Sequence, residues 1–144
     1  KEHMEPRLWA LVSLAVAREI NSSYCALALA GRLLRTCFTT AELLAIVSGR
    51  KEAPLSESER IAMEVAAKVA RDASQVSQDD IDRLRGAGFT DAGIFDLVAA
   101  AAWRCFFAKI PDALGANPDS ALGQIEAPLL QRLVVGRAVA TQQH

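Results

Sequence analysis

The sequence predicts an all-α fold, a single orthogonal bundle of six to seven helices. Three observations carry that expectation. Apolar residues recur at spacings of three and four along most of the chain, cap and turn signals cut these runs into helix-length pieces, and no segment alternates with period two for long enough to be a strand. The length of 144 residues fits one domain, and a 51% hydrophobic content rich in Ala, Leu and Val is enough to bury a core. Residues 1–144 therefore read as one helical unit with no interdomain linker.

Pro6 suits a first helical turn, where its missing N–H would be unpaired anyway. Leu8, Leu11, Val12, Ala15 and Val16 follow as a helical stripe. Asn21-Ser22-Ser23 then interrupts, and any of the three can cap a second helix running to about Arg35. Thr39 with Glu42 and Ser56 with Glu59 are capping boxes for the next two helices, the first of them stopped by Gly49. Ser77 with Asp80 opens a short helix closed by Gly86-Ala87-Gly88. Thr90 caps a helix expected to end near Ala108, with Pro111 and Asn117-Pro118 as breakers. A last helix is expected over about 121–138, followed by a polar tail from Thr141.

Composition excludes several classes of function. A formal charge of −1 with interspersed signs leaves no net basic face for nucleic acid or an anionic membrane. No apolar run reaches the ~20 residues of a membrane span, and no signal peptide is visible. Three cysteines, Cys25, Cys37 and Cys105, then read as reduced thiols of a cytoplasmic protein. The opening Lys1-Glu2-His3-Met4 is either a tag scar before a native Met4 or the continuation of an upstream segment; the second is favoured. The two histidines, His3 and His144, lie at ends expected to fray, so no His-based acid–base pair, nucleophile pair or metal site is expected inside the fold, and no cofactor is called for.

Several segments together resemble the alkyl hydroperoxidase D-like (AhpD-like) branch of the carboxymuconolactone decarboxylase family. They are the apolar helix from Leu11 to Arg18 running into Asn21-Ser22-Ser23-Tyr24-Cys25, and Thr39-Thr40-Ala41-Glu42-Leu43-Leu44. Leu55-Ser56 followed by Glu59-Arg60, the turn Gly88-Phe89-Thr90-Asp91, and Asp112-Ala113-Leu114-Gly115 complete the set, in the family's order over about positions 8–118. The resemblance implies an AhpD-like helical fold, a homo-oligomer (trimer or hexamer), and a segment upstream of the first helix.

It also implies a place for peroxidase chemistry. In the family a Glu, a Cys-x-x-Cys and a His four residues later let one thiolate attack a hydroperoxide, a second thiol resolve the sulfenic acid, and a Glu/His relay move protons. Carried over residue by residue, the second Cys is Cys25, the first Cys falls on Ser22, the His on Leu29 and the Glu on Ala10. Serine forms no disulfide, and neither leucine nor alanine carries a proton. Glu19 lies nine residues past the relay position and on another side of the helix, a poor substitute. The lactone decarboxylase branch keeps a His near this helix, and that His is missing too.

Three functional readings stay open at this point. The first is a family protein whose Glu/Cys-x-x-Cys/His site is largely lost and does not redox-cycle. The second is a one-cysteine thiol peroxidase using Cys25 with an outside reductant. The third is a binding or assembly module that holds a small hydrophobic ligand beside Ala10, Leu29 and Ser22.

Each polar candidate also has a structural reading. Cys25 is either a reactive thiol near a helix N-terminus or a small core residue; Ser22 is expected to bond a backbone N–H as a cap, the alternative being donation to the Cys25 sulfur. Cys37 is expected in packing, and Cys105 among Trp103, Phe106 and Phe107 in the core or a subunit interface. Arg104 and Lys109 are expected on the solvated or salt-bridged surface, the alternative being an anion site. Asp79, Asp80 and Asp82 suit a helix N-terminus better than calcium.

Overall fold

The computed structural model describes residues 4–141. His3, His144 and most of the polar tail lie outside the described residues, so the expectation of frayed ends is not addressed. Among the described residues there are seven α-helices and no strand, as the periodicity predicts. In chain order they are α1 (Pro6–Glu19), α2 (Ser23–Thr36), α3 (Thr40–Val47), α4 (Glu57–Asp72), α5 (Gln78–Gly86), α6 (Asp91–Ala113) and α7 (Ala127–Leu133), with single 3-10 turns at Ala73–Gln75 and Ser120–Gly123.

The local signals act as expected. Pro6 occupies the first turn of α1. All three capping boxes close, with the Thr39, Ser56 and Ser77 hydroxyls each accepting the N–H three residues on while Glu42, Glu59 and Asp80 reach back. Each box satisfies two N–H groups that a helix start otherwise leaves unpaired. Thr90 caps α6 by accepting the Gly93 N–H at 3.1 Å. Gly49 and Gly88 stand at positive φ just past helix ends.

Two ends differ from the sequence reading. Helix α6 runs five residues past Ala108, with Pro111 inside it. The proline sits in the last turn, where its missing N–H removes one bond and no long helix follows to be kinked. The chain stops just beyond, at Gly115 with φ +85°, where the Ala116 N–H reaches the Pro111 carbonyl. The continuous helix expected over 121–138 is instead a 3-10 turn and the seven-residue α7. Pro128 would clash with the carbonyl of Gln124 in an unbroken helix, so the helix restarts around it.

Helix α1 is the centre of the molecule and packs against α2, α4 and α6. Its Leu11 and Leu14 face a cluster shared with α2, α3 and α7, including Leu27, Leu33, Leu43, Leu129 and Leu133. Its Val12 and Val16 face a second cluster with Val65, Leu84 and Leu97 of α4, α5 and α6. A helix apolar on nearly every side is what a central position requires. Arg7–Glu59 and Arg71–Glu19 tie α1 to α4 near each end, both at 2.7 Å.

No helix among the described residues is long and apolar enough to cross a membrane.

Candidate functional site

Where α1 turns into α2, the backbone adopts a tight left-handed exit. Asn21 has φ +58°, the Ser22 N–H donates to the Ala17 carbonyl at 2.8 Å, and the Asn21 N–H to that of Arg18 at 3.2 Å. This pair of bonds is a Schellman closure, and asparagine tolerates the left-handed residue it needs. The geometry brings Ser22 to the N-cap of α2 and places Cys25 in that helix's first turn, facing the core.

Ser22 is fully buried, but its hydroxyl does not cap. It makes no bond to the helix N–H groups and no hydrogen bond within the described residues. The expected backbone cap is therefore corrected. The turn itself satisfies the Ser22 N–H, and the chain enters α2 without help from the side chain. The next serine does take a role: Ser23 Oγ accepts the Gly136 N–H at 2.8 Å, fastening the C-terminal stretch over this turn.

Cys25 is 3% exposed and shares one core cluster with Ala10 and Leu29. Three of the four sequence-derived positions are thus buried in the same core cluster, with Ser22 in the turn before α2. Ala10 and Leu29 are buried, and both are apolar. Glu19, the nearest acid in sequence, points the other way into its pair with Arg71. Neither remaining thiol is bonded to Cys25. Cys37 caps the far end of α2, roughly 18 Å away at ~1.5 Å per residue, well beyond disulfide reach. Cys105 belongs to the second core cluster, and burial pushes its thiol pKa up, partly offset by Lys109. All three cysteines are free.

The polar group that does meet Cys25 is Arg104, whose Nη1 lies 3.9 Å from Sγ in a buried contact. Arg104 is 8% exposed, which corrects the surface position expected for it; Lys109 is exposed as expected. Its guanidinium lies 5.1 Å from the Trp9 ring centroid and 5.6 Å from that of Phe107. Nε makes no hydrogen bond, and no carboxylate pairs with Arg104 among the described residues. A guanidinium held by aromatic faces and a sulfur in this way is a cation without a fixed anion.

Sequence reasoning named Arg104 as a surface residue, with an anion site as the alternative, and did not connect it to Cys25; it missed Trp9. A signal was available: Leu97, Ala101, Arg104 and Ala108 share one face of α6, so a charged residue stands in a row of core positions.

Elsewhere the polar clusters are structural. Asp80 pairs with Lys68 at 2.6 Å while closing the α5 capping box, and no group of His, Cys, Asp or Glu able to hold a metal occurs among the described residues. A shallow cleft of about 270 Å³ is lined by Glu5, Arg7, Ala10, Arg32, Leu33 and Cys37 among others; it touches Ala10 but not Ser22, Cys25 or Leu29.

No family model matches this chain, and no curated protein matches it. Solved structures do. The alkylhydroperoxidase AhpD core of a peroxidase-related protein from Ralstonia eutropha JMP134 superposes with a TM-score of 0.76 at 18% identity, covering 87% of this chain and 66% of that one. A peroxidase-related protein from Silicibacter sp. TM1040 gives 0.73 at 18% identity, over 87% of this chain and 65% of that one. The chain thus spans just under two thirds of the length of either. At this identity the likeness establishes the fold, which is the AhpD core.

Proposed function

We propose that this chain, built on the alkylhydroperoxidase core fold, does not run the two-thiol hydroperoxidase cycle. One observation carries the reading: Cys25 is a free thiol, with Cys37 at the far end of α2 and Cys105 packed against the other core cluster, and Ala10 and Leu29 fill with hydrocarbon the positions from which the resemblance would have protons relayed. A sulfenic acid formed there would have no resolving partner in the chain. The test is hydroperoxide consumption with excess dithiol by wild type and by Cys25→Ser. Equal background rates are expected; turnover in wild type that Cys25→Ser abolishes would overturn the reading.

The Arg104 contact favours a second reading, one-thiol chemistry at Cys25 with an outside reductant. A guanidinium beside sulfur can pair with a thiolate and with the sulfenate formed on it. The thiolate would attack the terminal oxygen of a hydroperoxide, the O–O bond would break, and the alkoxide would take a proton from solvent. A small-molecule thiol would then displace water from the sulfenic acid as a mixed disulfide, and a second thiol would release Cys25. Mass spectrometry after a hydroperoxide pulse tests this. Addition of one oxygen confined to Cys25, and slower in Arg104→Gln, is the required result.

The third reading is a module for a small hydrophobic ligand, and like the one-thiol chemistry at Cys25, which is 3% exposed, it needs access to a buried site. Ala10, Ser22 and Leu29 are packed at 5% exposure or less, so such a ligand would have to open the core. A thermal-shift screen with apolar compounds decides it, since binding to the native state alone raises stability.

A further inference from the structure

We propose that the outer face of α6 is a self-association surface on which a second copy of this chain lays its own α6 antiparallel. Phe95, Ala99, Trp103, Phe106, Ile110 and Leu114 follow one another at spacings of three and four, and all are exposed. Phe95 is 71% exposed, Trp103 57%, Phe106 59% and Leu114 82%. The stripe is ~28 Å long at ~1.5 Å per residue. No charged residue interrupts it; Asp91 stands at its N-terminal end, four residues before Phe95, and Asp96, Lys109 and Asp112 lie to its sides.

Size is the first argument for a macromolecular partner. With aromatic side chains worth roughly 150–250 Å² each, these residues and the half-exposed Phe107 leave on the order of 600–700 Å² of apolar surface open. A monomer's largest apolar patch is usually about 300–600 Å². A standard interface takes about 800 Å² from each partner. The face exceeds the usual monomer patch and approaches what a standard interface takes from one partner. Trp103 and Phe106 already pack on each other, with ring centroids 5.5 Å apart, so little side-chain freedom remains to be lost on association.

The pattern of sizes argues that the partner is another copy. A two-fold interface must be self-complementary. Set two α6 helices antiparallel about a dyad between Ala102 and Trp103, and Ala99 of each copy faces Phe106 of the other. Phe95 then lies at the level of Ile110. The smallest side chain of the stripe meets a large ring, twice, and Phe95 and Ile110 cover one another, while Trp103 lies over Ala102 and Leu114 stands at the level of Asp91 on the rim. This surface is independent of what Cys25 does.

Sedimentation velocity on the full chain at micromolar concentration tests the proposal. A dimer is expected, or a hexamer composed of three such pairs. A monomer or a trimer at every concentration would overturn it, including the case in which an unrelated protein covers the face. Ala99→Phe alone crowds ring against ring and Phe106→Ala alone leaves a gap, so each should weaken association about tenfold or more. The double variant should regain most of the loss. Because both residues are exposed in the single chain, helical circular dichroism should be unchanged throughout. A double variant no better than its parents would overturn the antiparallel register.

Discussion

The Arg104 guanidinium and the Cys25 sulfur meet at 3.9 Å inside the core, joined across 79 residues of sequence, and no carboxylate among the described residues pairs with that guanidinium. Two charge arrangements fit this contact. A neutral thiol leaves Arg104 a buried cation supported by Trp9 and Phe107, while an anionic sulfur makes the two a buried ion pair.

Replacing Arg104 by Met separates the two cases. The variant gives up cation–π contacts worth about 0.5–2 kcal/mol but also removes a desolvated charge, whose replacement by an apolar side chain is often neutral or stabilising. With a neutral thiol, Arg104→Met is expected within about 1 kcal/mol of wild type in urea unfolding. A loss of roughly 3 kcal/mol or more is what breaking a buried pair costs, and would mean the sulfur is the guanidinium's anion.

Ser22→Cys tests what the missing groups do. Ser22 and Cys25 are three residues apart across a helix start, close enough for a disulfide. Under mild oxidation the variant should lose two titratable thiols. Its hydroperoxide consumption with dithiol should stay at background, because Leu29 and Ala10 still move no proton. Adding Leu29→His and Ala10→Glu should raise it. Turnover in Ser22→Cys alone would show that no relay is needed.

Much of this fold was legible because its signals are local. Thr39 and Glu42, Ser56 and Glu59, and Ser77 and Asp80 are three residues apart, so a box closes wherever the helix begins, whatever packs around it. The apolar rows of α1 and α4 likewise name their buried faces. Illegible parts depend on distant chain. Ser22 reads as a cap in sequence, but the Schellman turn closes α1 without its hydroxyl. Arg104 reads as surface until α1 and α2 are folded against α6. The segment 121–138 has a helical apolar pattern, yet Pro128 and the close approach of Gly136 to the α1–α2 turn divide it.

That close approach makes Gly136 sensitive. A β-carbon there would overlap the carbonyl oxygen of Asn21, a backbone atom with little freedom to move. The Gly136 N–H also holds Ser23 Oγ. Gly136→Ala is expected to cost about 1–3 kcal/mol, as overpacking does, and to speed proteolysis of residues 134–140. A variant with wild-type urea midpoint and wild-type protection would mean the contact is not kept in solution.

Asp80 sets a pH limit on α5. Its hydrogen bond from Lys68, followed by the Ser77 N–H, holds its pKa at about 2 against an ordinary 3.8. Because the folded value is the lower one, the unfolded chain takes up the proton first as pH falls. The stabilisation is therefore complete above about 3.8 and drains away as pH drops toward about 2. The comparison is urea midpoints of wild type and Asp80→Asn at pH 6 and across this window. Asp80→Asn should be the less stable at pH 6, since the amide keeps the shape but loses the charge that Lys68 and Arg83 face. The difference should shrink toward pH 2 as wild type loses the same charge. A gap that stays constant from pH 6 to pH 2 would show that the cap's hydrogen bonds, and not the ionised carboxylate, hold this corner together.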